Sequence, residues 1–417
     1  HYPLRRQRQM CIRDRYYLHT KDIGVDDLNF SAFDCDHHYY EAEDAFTRYM
    51  DPHLKGRGIQ WSEINGKRRL LVGGKVNRFI PNPTFDPIAQ PGCLDAYFRG
   101  RVSVSDIREA FGDLEPIAER PEYRDKDAKI KKLDEQGLDG CFLFPTLGVG
   151  MEPALENDIP ALVASFTAFN RWLLEDWGFN YKDRLFTAPY ITLADVDNAI
   201  RELEFALEND ARLINLRASA VSTHDGKKSP ADKAFDPFWD RVNDSGLTVA
   251  FHAGDAAYDF MFAHWGLTTE FEAFRYDPLK RLLTYSNIAD TVAALIGGGL
   301  FDRFPKIRVC TIENGSDWVS GLVKRLGKAY KQASYAFPSD PVEIFRKHIW
   351  VAPYYEDDLL ELRDLLGVDH ILFGSDFPHA EGLADPTEFI NDLQGFNQEE
   401  VEKIMYLNGK NLVSLNI

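Results

Sequence analysis

The chain is 417 residues long, 44% hydrophobic and 27% charged, with a formal net charge of −18. That balance belongs to a folded globular protein and excludes a disordered or fibrous chain, while the length admits a few small domains or one large barrel. The acidic excess excludes non-specific nucleic-acid binding, which needs clustered Lys and Arg, and no stretch approaches the roughly 18 continuous apolar residues of a membrane span.

Residues 1–20 run against this balance: five arginines face Asp14 alone, a net of +4 that leaves −22 on the rest of the chain. The string RQRQMCIRDR resembles translated adapter read-through, so residues 1–20 are read as a non-native or disordered basic arm and set aside. Cys11, Cys35, Cys93, Cys141 and Cys310 are scattered, with no CxxC pair. They argue for a reducing compartment and a cytoplasmic location rather than a disulfide framework.

From residue 30 onward, short apolar runs alternate with segments of 3.6-residue periodicity. The first strand is expected at Ser31–Tyr39 (SAFDCDHHY). Between Asp51 and Tyr123 the pattern lapses. Arg68–Asn77 reads as a hairpin about Gly73-Gly74, and a Pro-rich stretch, FIPNPTFDPIAQPG, follows. Residues 51–123 are therefore expected to form an insertion or lid after strand one. Further strands are expected at Leu138–Thr146, Leu185–Leu193, Ala211–Ser219, Leu247–Gly254, Lys306–Gly315, His348–Glu356 and His370–His379. Helices are expected at Lys126–Gln136, Ala161–Phe179, Asp195–Asn209, Phe235–Asn243, Ile288–Phe304, Ser316–Ser334, Asp357–Leu366 and Asn397–Leu407. Asp195 and Ser316 stand at cap positions, and Gly137, Gly246 and Gly367 at stops.

Eight buried strands, each returning through a helix, close most simply into a (β/α)8 TIM barrel over residues 30–417. No GxGxxG or GxxxxGK[ST] follows the first strand, which removes the phosphate-binding logic of an open doubly wound sheet. In such a barrel the chemistry collects at the C-terminal ends of the strands. Strand one ends in Asp34-Cys35-Asp36-His37-His38, strand four in Arg217, strand five in His252, strand six in Glu313, and strand eight in Asp376 followed by His379. A period of two puts Asp34, Asp36 and His38 on one face and Cys35 and His37 on the other. Two imidazoles (His38, His252) and two carboxylates (Asp36, Asp376) make a mixed set that suits one divalent cation, Zn2+ ahead of Mn2+.

Asp36-x-His38, the run VAFHAG around His252, ENGSDW from Glu313 to Trp318 and FGSDFPH around Asp376 resemble the amidohydrolase superfamily in its amidohydrolase-2 branch. That branch includes aminocarboxymuconate-semialdehyde decarboxylase and related aromatic-acid decarboxylases. The resemblance runs from about residue 30 to the end, where Asn408-Gly409-Lys410-Asn411-Leu412 takes the place of an N-A-x-R-L signature. It implies a distorted barrel of the metal-dependent hydrolase type, with one divalent ion held by Asp36, His38, His252 and Asp376. Two positions depart from the pattern: many relatives carry His-x-His or Glu-x-His on strand one, and many decarboxylases a histidine where this chain has Glu313.

A bound divalent ion lowers the pKa of its water from about 16 toward 7, and Asp376 is placed to take that proton. Glu313 is expected as a second acid/base or as the group that holds a ligand histidine in its tautomer. His379 is expected to orient substrate or transfer a proton, and Arg217 to hold a substrate carboxylate. Trp265 and Tyr355 would offer aromatic faces at the rim. The leading expectation is a hydrolase acting on a small, carboxylated or aromatic molecule. The alternatives are a metal-dependent carboxy-lyase, a catalytically silent barrel that binds a partner, and a non-haem iron oxygenase. A homodimer is compatible with the Pro-rich insertion and the Trp-bearing helices.

Overall fold

The computed structural model describes residues 24, 28–77, 86–103, 109, 111–267, 277–283, 286–355 and 357–414. The basic arm at 1–20, the beginning of the Pro-rich stretch and Glu356 lie outside them. The strands in chain order are β1 Ala32–Tyr39, β2 Ile59–Ile64, β3 Lys67–Val72, β4 Lys75–Val76, β5 Leu138–Pro145, β6 Asn180–Tyr181, β7 Leu185–Thr187, β8 Leu213–Arg217, β9 Val221–Thr223, β10 Gly226–Lys228, β11 Thr248–His252, β12 Arg308–Ile312 and β13 Ile349–Val351.

Two four-stranded sheets organise the fold, in the orders β1-β5-β7-β6 and β13-β12-β11-β8. All their pairings are parallel except that of the short β6 with β7. Isolated parallel bridges, Tyr190 with Asn215, Val351 with Ile371 and His37 with Phe377, link the sheet edges. The strands are thus not one uninterrupted closed sheet. The strand expected at His370–His379 is the irregular part: Leu372 N donates to Val351 O, Cys35 N to Phe373 O, and His38 N to Phe377 O, with no continuous ladder. Gly374, Pro378 and the left-handed Asp376 (φ 58°) explain why, since Pro lacks an N–H and a positive φ breaks the pleat.

Burial separates two layers. Ile214, Leu216, Val249 and Phe251 pack outward against helices carrying Trp172 and Trp239, whereas Phe33, Cys35, Phe142, Leu213, Ala250, Cys310 and Leu372 pack together on the opposite face. That inner layer is closed at one end by Leu412 and Val413, with Thr248 Oγ1 donating to Leu412 O at 2.6 Å. The other end, where β1, β8 and β11 finish, is left for the site.

Most helices fall where the periodicity places them. Asp195 caps 196–208 by accepting from Asn198 N. Ser316 instead donates its hydroxyl to Asp357. The expected 288–304 helix divides into 287–297 and 300–303 at three consecutive glycines, with Gly299 left-handed. An unforeseen helix covers Pro341–His348. Between β1 and β5, β2, β3 and β4 make an antiparallel sheet with turns at Asn65-Gly66 and Gly73-Gly74. The segment after it reaches back across the eighth run: Gly92 N donates to His379 O at 3.1 Å and Leu94 N to Ala380 O at 2.8 Å.

A Cβ added at Gly374 would stand 2.8 Å from Asp36 Cβ, whereas one at Gly56 would meet nothing within 4 Å. Gly374→Ala should therefore lower the unfolding free energy by about 1–3 kcal/mol in a urea titration, and Gly56→Ala should leave the midpoint close to wild type.

Candidate metal centre

The site begins with an irregularity in β1. Asp34 pairs with Cys141 and His37 with Leu143, so the register shifts between Asp34 and His37. This bulge overturns the strict alternation expected from the sequence, because an extra residue rotates the chain beyond it. Cys35 joins Phe33 in the inner layer, yet Asp36 and His38 both reach the donor cluster, and Asp34 does not.

The cluster assembles Asp36, His38, His252 and Glu313, and a second set sharing His38 and Glu313 adds Asp376 and His379. His38 Nε2 lies 3.2 Å from His252 Nε2. Asp36 Oδ1 stands 3.3 Å from the first nitrogen and 3.4 Å from the second. Asp376 Oδ1 is 3.3 Å from His38 Nε2, and Glu313 Oε2 is 3.2 Å from His252 Nε2. Donors about 2.1 Å from a tetrahedral Zn2+ lie about 3.4 Å from one another. Both rings turn their other nitrogen to a carbonyl, His38 Nδ1 to Pro145 O at 3.2 Å and His252 Nδ1 to Ala253 O at 2.7 Å. With the proton on each Nδ1, two bare lone pairs face each other, and buried Asp36 Oδ1 has no hydrogen-bond partner. A cation is what such an arrangement fits.

With no cation among them, the electrostatics show how strongly these donors call for positive charge. Burial opposes charge on both Asp36 and His38, but their contacts with each other, with His252 and with Asp376 outweigh it, lowering the aspartate and raising the histidine. Asp376 is likewise held low against burial by His379 and His38. Partial burial and the charges of Asp376 and Asp36 push Glu313 well up, the response of a carboxylate added to an already negative cluster. Glu313 and Asp376 both adopt left-handed backbone, φ 55° and 58°, a costly conformation for non-glycine residues that is concentrated at functional sites.

The remaining residues singled out by sequence are distributed differently. His379 belongs with the cluster: its Nδ1 is 2.6 Å from Asp376 Oδ1, its Nε2 3.1 Å from Thr146 Oγ1, and its ring lies over His38 with centroids 4.0 Å apart. Arg217 is beside His252 in register and lines the same cavity, together with Val149, Asn215, Asp255 and Asn287. Its Nη2 donates to Ala220 O at 2.6 Å and its Nε lies 3.9 Å from Glu152, while Nη1 is buried without a partner. Tyr355 turns away, donating to Glu381 O at 2.6 Å under the Arg99 guanidinium. Its neighbour Tyr354 is the one that reaches the site, donating to Glu313 O at 2.9 Å. Trp265 ends the helix Asp259–His264 with 57% of its surface exposed, and it does not line the cavity. His37 stays behind the site, packed on Phe377 at 5.0 Å, as its parity suggested.

A family model described as Amidohydrolase matches residues 33–414. Among solved structures, the chain is similar to an amidohydrolase from Mycobacterium avium subsp. paratuberculosis K-10, at 44% identity over 94% of this chain and 99% of that one, with a TM-score of 0.89. It shares its fold with a dihydroxybenzoic acid decarboxylase from Polaromonas sp. JS666 that holds manganese and 2-nitroresorcinol (16% identity, 93% and 98% covered, TM-score 0.57). A 2,6-dihydroxybenzoate decarboxylase from Rhizobium is alike to the same degree (14% identity, 93% and 100% covered, TM-score 0.58).

Glu152 is buried among Arg217, Tyr190 and Thr192, accepting from the Tyr190 hydroxyl at 2.8 Å and the Thr192 hydroxyl at 3.1 Å. Glu152→Ala would strand three polar groups at once. It should cost about 3 kcal/mol or more by chemical denaturation, against a small change for the exposed Glu135→Ala.

Proposed function

The chain belongs to the amidohydrolase family, whose members are metal-dependent enzymes, and from that premise we propose that it is a hydrolase of a small, carboxylated or aromatic substrate. The observation that carries this reading is the gathering of donors about His38 Nε2, with His252 Nε2 at 3.2 Å and Asp36 Oδ1 and Asp376 Oδ1 each at 3.3 Å, and the free nitrogens of the two imidazoles turned toward each other. These four residues would hold one divalent cation, Zn2+ ahead of Mn2+. Their two neutral nitrogens and two carboxylates suit zinc, and manganese is the ion held by the Polaromonas decarboxylase that shares the fold. No helix among the described residues is long and apolar enough to cross a membrane. We read the two sheets and their three single-bridge seams as the distorted (β/α)8 barrel that the family implies, with the segment between β1 and β5 as its insertion.

A divalent cation in this set supplies Lewis acidity, polarising an oxygen of substrate or water and bringing the pKa of water from about 16 toward 7. The protein supplies proton handling. Asp376 is the first acceptor, and its contact with His379 Nδ1 lets the imidazole share the proton, while Thr146 Oγ1 fixes the far nitrogen of that ring. Glu313, across the cluster and with 24% of its side chain exposed, is the second acid/base, placed to return a proton to a leaving group. Arg217, on the cavity wall beside His252, is the cation that would hold a substrate carboxylate.

The same Arg217 favours a second reading, a carboxy-lyase in which the substrate carboxylate is held while carbon is protonated. Likeness in fold to dihydroxybenzoate decarboxylases is in keeping with it.

Purified protein should carry about one zinc or manganese per chain by elemental analysis, and His252→Ala should carry almost none; absence of stoichiometric metal from the wild type would sink both readings. On a panel of lactones, amides and hydroxybenzoates, the hydrolase reading expects a hydrolysis product. Release of CO2 with none transfers the assignment to the carboxy-lyase. Arg217→Gln should raise KM for carboxylated substrates about tenfold or more while leaving metal content intact.

A further inference from the structure

Asp34 is completely buried, and it accepts three hydrogen bonds from the two segments that carry the carboxylate arms of the centre. Its Oδ1 accepts from Asp36 N at 3.0 Å and from Ser375 N at 3.0 Å, and its Oδ2 accepts from the Ser375 hydroxyl at 2.5 Å. One of those donors is the amide of Asp36 itself. The other two belong to the residue immediately before Asp376. Ser375 Oγ in turn accepts from Phe377 N at 3.1 Å, on the far side of Asp376. We propose that Asp34 is a positioning residue of the metal centre, setting the separation of Asp36 from Asp376 by clamping β1 to the eighth run through Ser375.

The local backbone explains why such a clamp is needed. β1 is bulged between Asp34 and His37, and the eighth run has no ladder of its own, so regular pairing cannot set this spacing. The direct backbone contact between the arms is Asp376 N to Asp36 O at 2.8 Å. Asp376 is moreover held at φ 58°, a conformation that persists only where the surroundings over-determine it. Three hydrogen bonds accepted by a carboxyl group with no route to solvent provide that over-determination. The charged group on the other side of β1 does different work: Lys129 Nζ donates to His38 O at 2.8 Å. His37, 3.6 Å from Asp34 Oδ2, has neither ring nitrogen hydrogen-bonded and contributes packing.

The inference rests on the metal reading above, and its test separates the two. Metal-stripped protein is titrated with Zn2+ against a chromophoric chelator and with Co2+ by visible absorption, for wild type, Asp34→Asn and Ser375→Ala. Loss of a partner outside the ligand set typically weakens a site by about 10- to 100-fold, and that loss is expected in both variants, with an altered Co2+ spectrum. The double variant should bind no more than about twofold worse than the weaker single one, because the two act as one unit. Wild-type affinity and spectrum in both variants, with only a lowered unfolding midpoint, would make Asp34 a purely structural residue and overturn the proposal. Failure of the wild type to bind either ion overturns the metal reading and this one with it. Should Asp34→Asn not fold, Ser375→Ala, which keeps the charge, decides the matter by the same two readouts.

Discussion

Two imidazole nitrogens held 3.2 Å apart with their lone pairs converging form the constraint around which the rest is arranged. Neither nitrogen can relieve the other, since each ring has committed its proton to a carbonyl. Carboxylates from β1 itself and from two further segments close around them. A protein without a cation gains nothing by this, because desolvated like charges and opposed lone pairs cost energy in proportion to how well they are buried. The bulge in β1, the left-handed turns at Glu313 and Asp376 and the ladderless eighth run are the backbone distortions by which four chain segments arrive together.

The division between what sequence discloses and what it hides follows from range. Seven of the eight expected strands appear, several of them shortened, because alternating burial is a local signal. The residues proposed as donors, Asp36, His38, His252 and Asp376, can be picked out in the sequence because they sit at or near the ends of such runs. Where alternation breaks, reading fails: the bulge between Asp34 and His37 cannot be inferred from residue types, so Asp34 was grouped with the donors it supports. The choice between Tyr354 and Tyr355 failed similarly, since the chain turns out of β13 just before them and nothing local says which ring faces Glu313. Arg217 was identified as the cation by its place on β8, but its buried counter-charge Glu152 comes from a distant loop with no strand signal. The helix at Pro341–His348 is amphipathic but only eight residues long and runs directly into the strand Ile349–Val351, too short a window for its period to be told apart.

The acidic character of the chain also takes on a local meaning. An overall negative surface does not draw in an anionic substrate. On the reading proposed above, the cavity compensates with Arg217, whose buried counter-charge is Glu152. The groups proposed to handle protons, Asp376, His379 and Thr146, are joined to one another by hydrogen bonds and to His38 through Asp376.

The plug formed by Leu412 and Val413 bears on the order in which the molecule can be completed. They follow every strand of the two sheets in the chain, yet they pack against Phe33 and Cys35 of the first. The inner layer therefore stays open at one end until they have been made, and β1 must wait for them. Such long-range closure is slow by nature. The donor cluster draws on residues 36 to 379, so its full set of side chains cannot come together until the eighth run has been made.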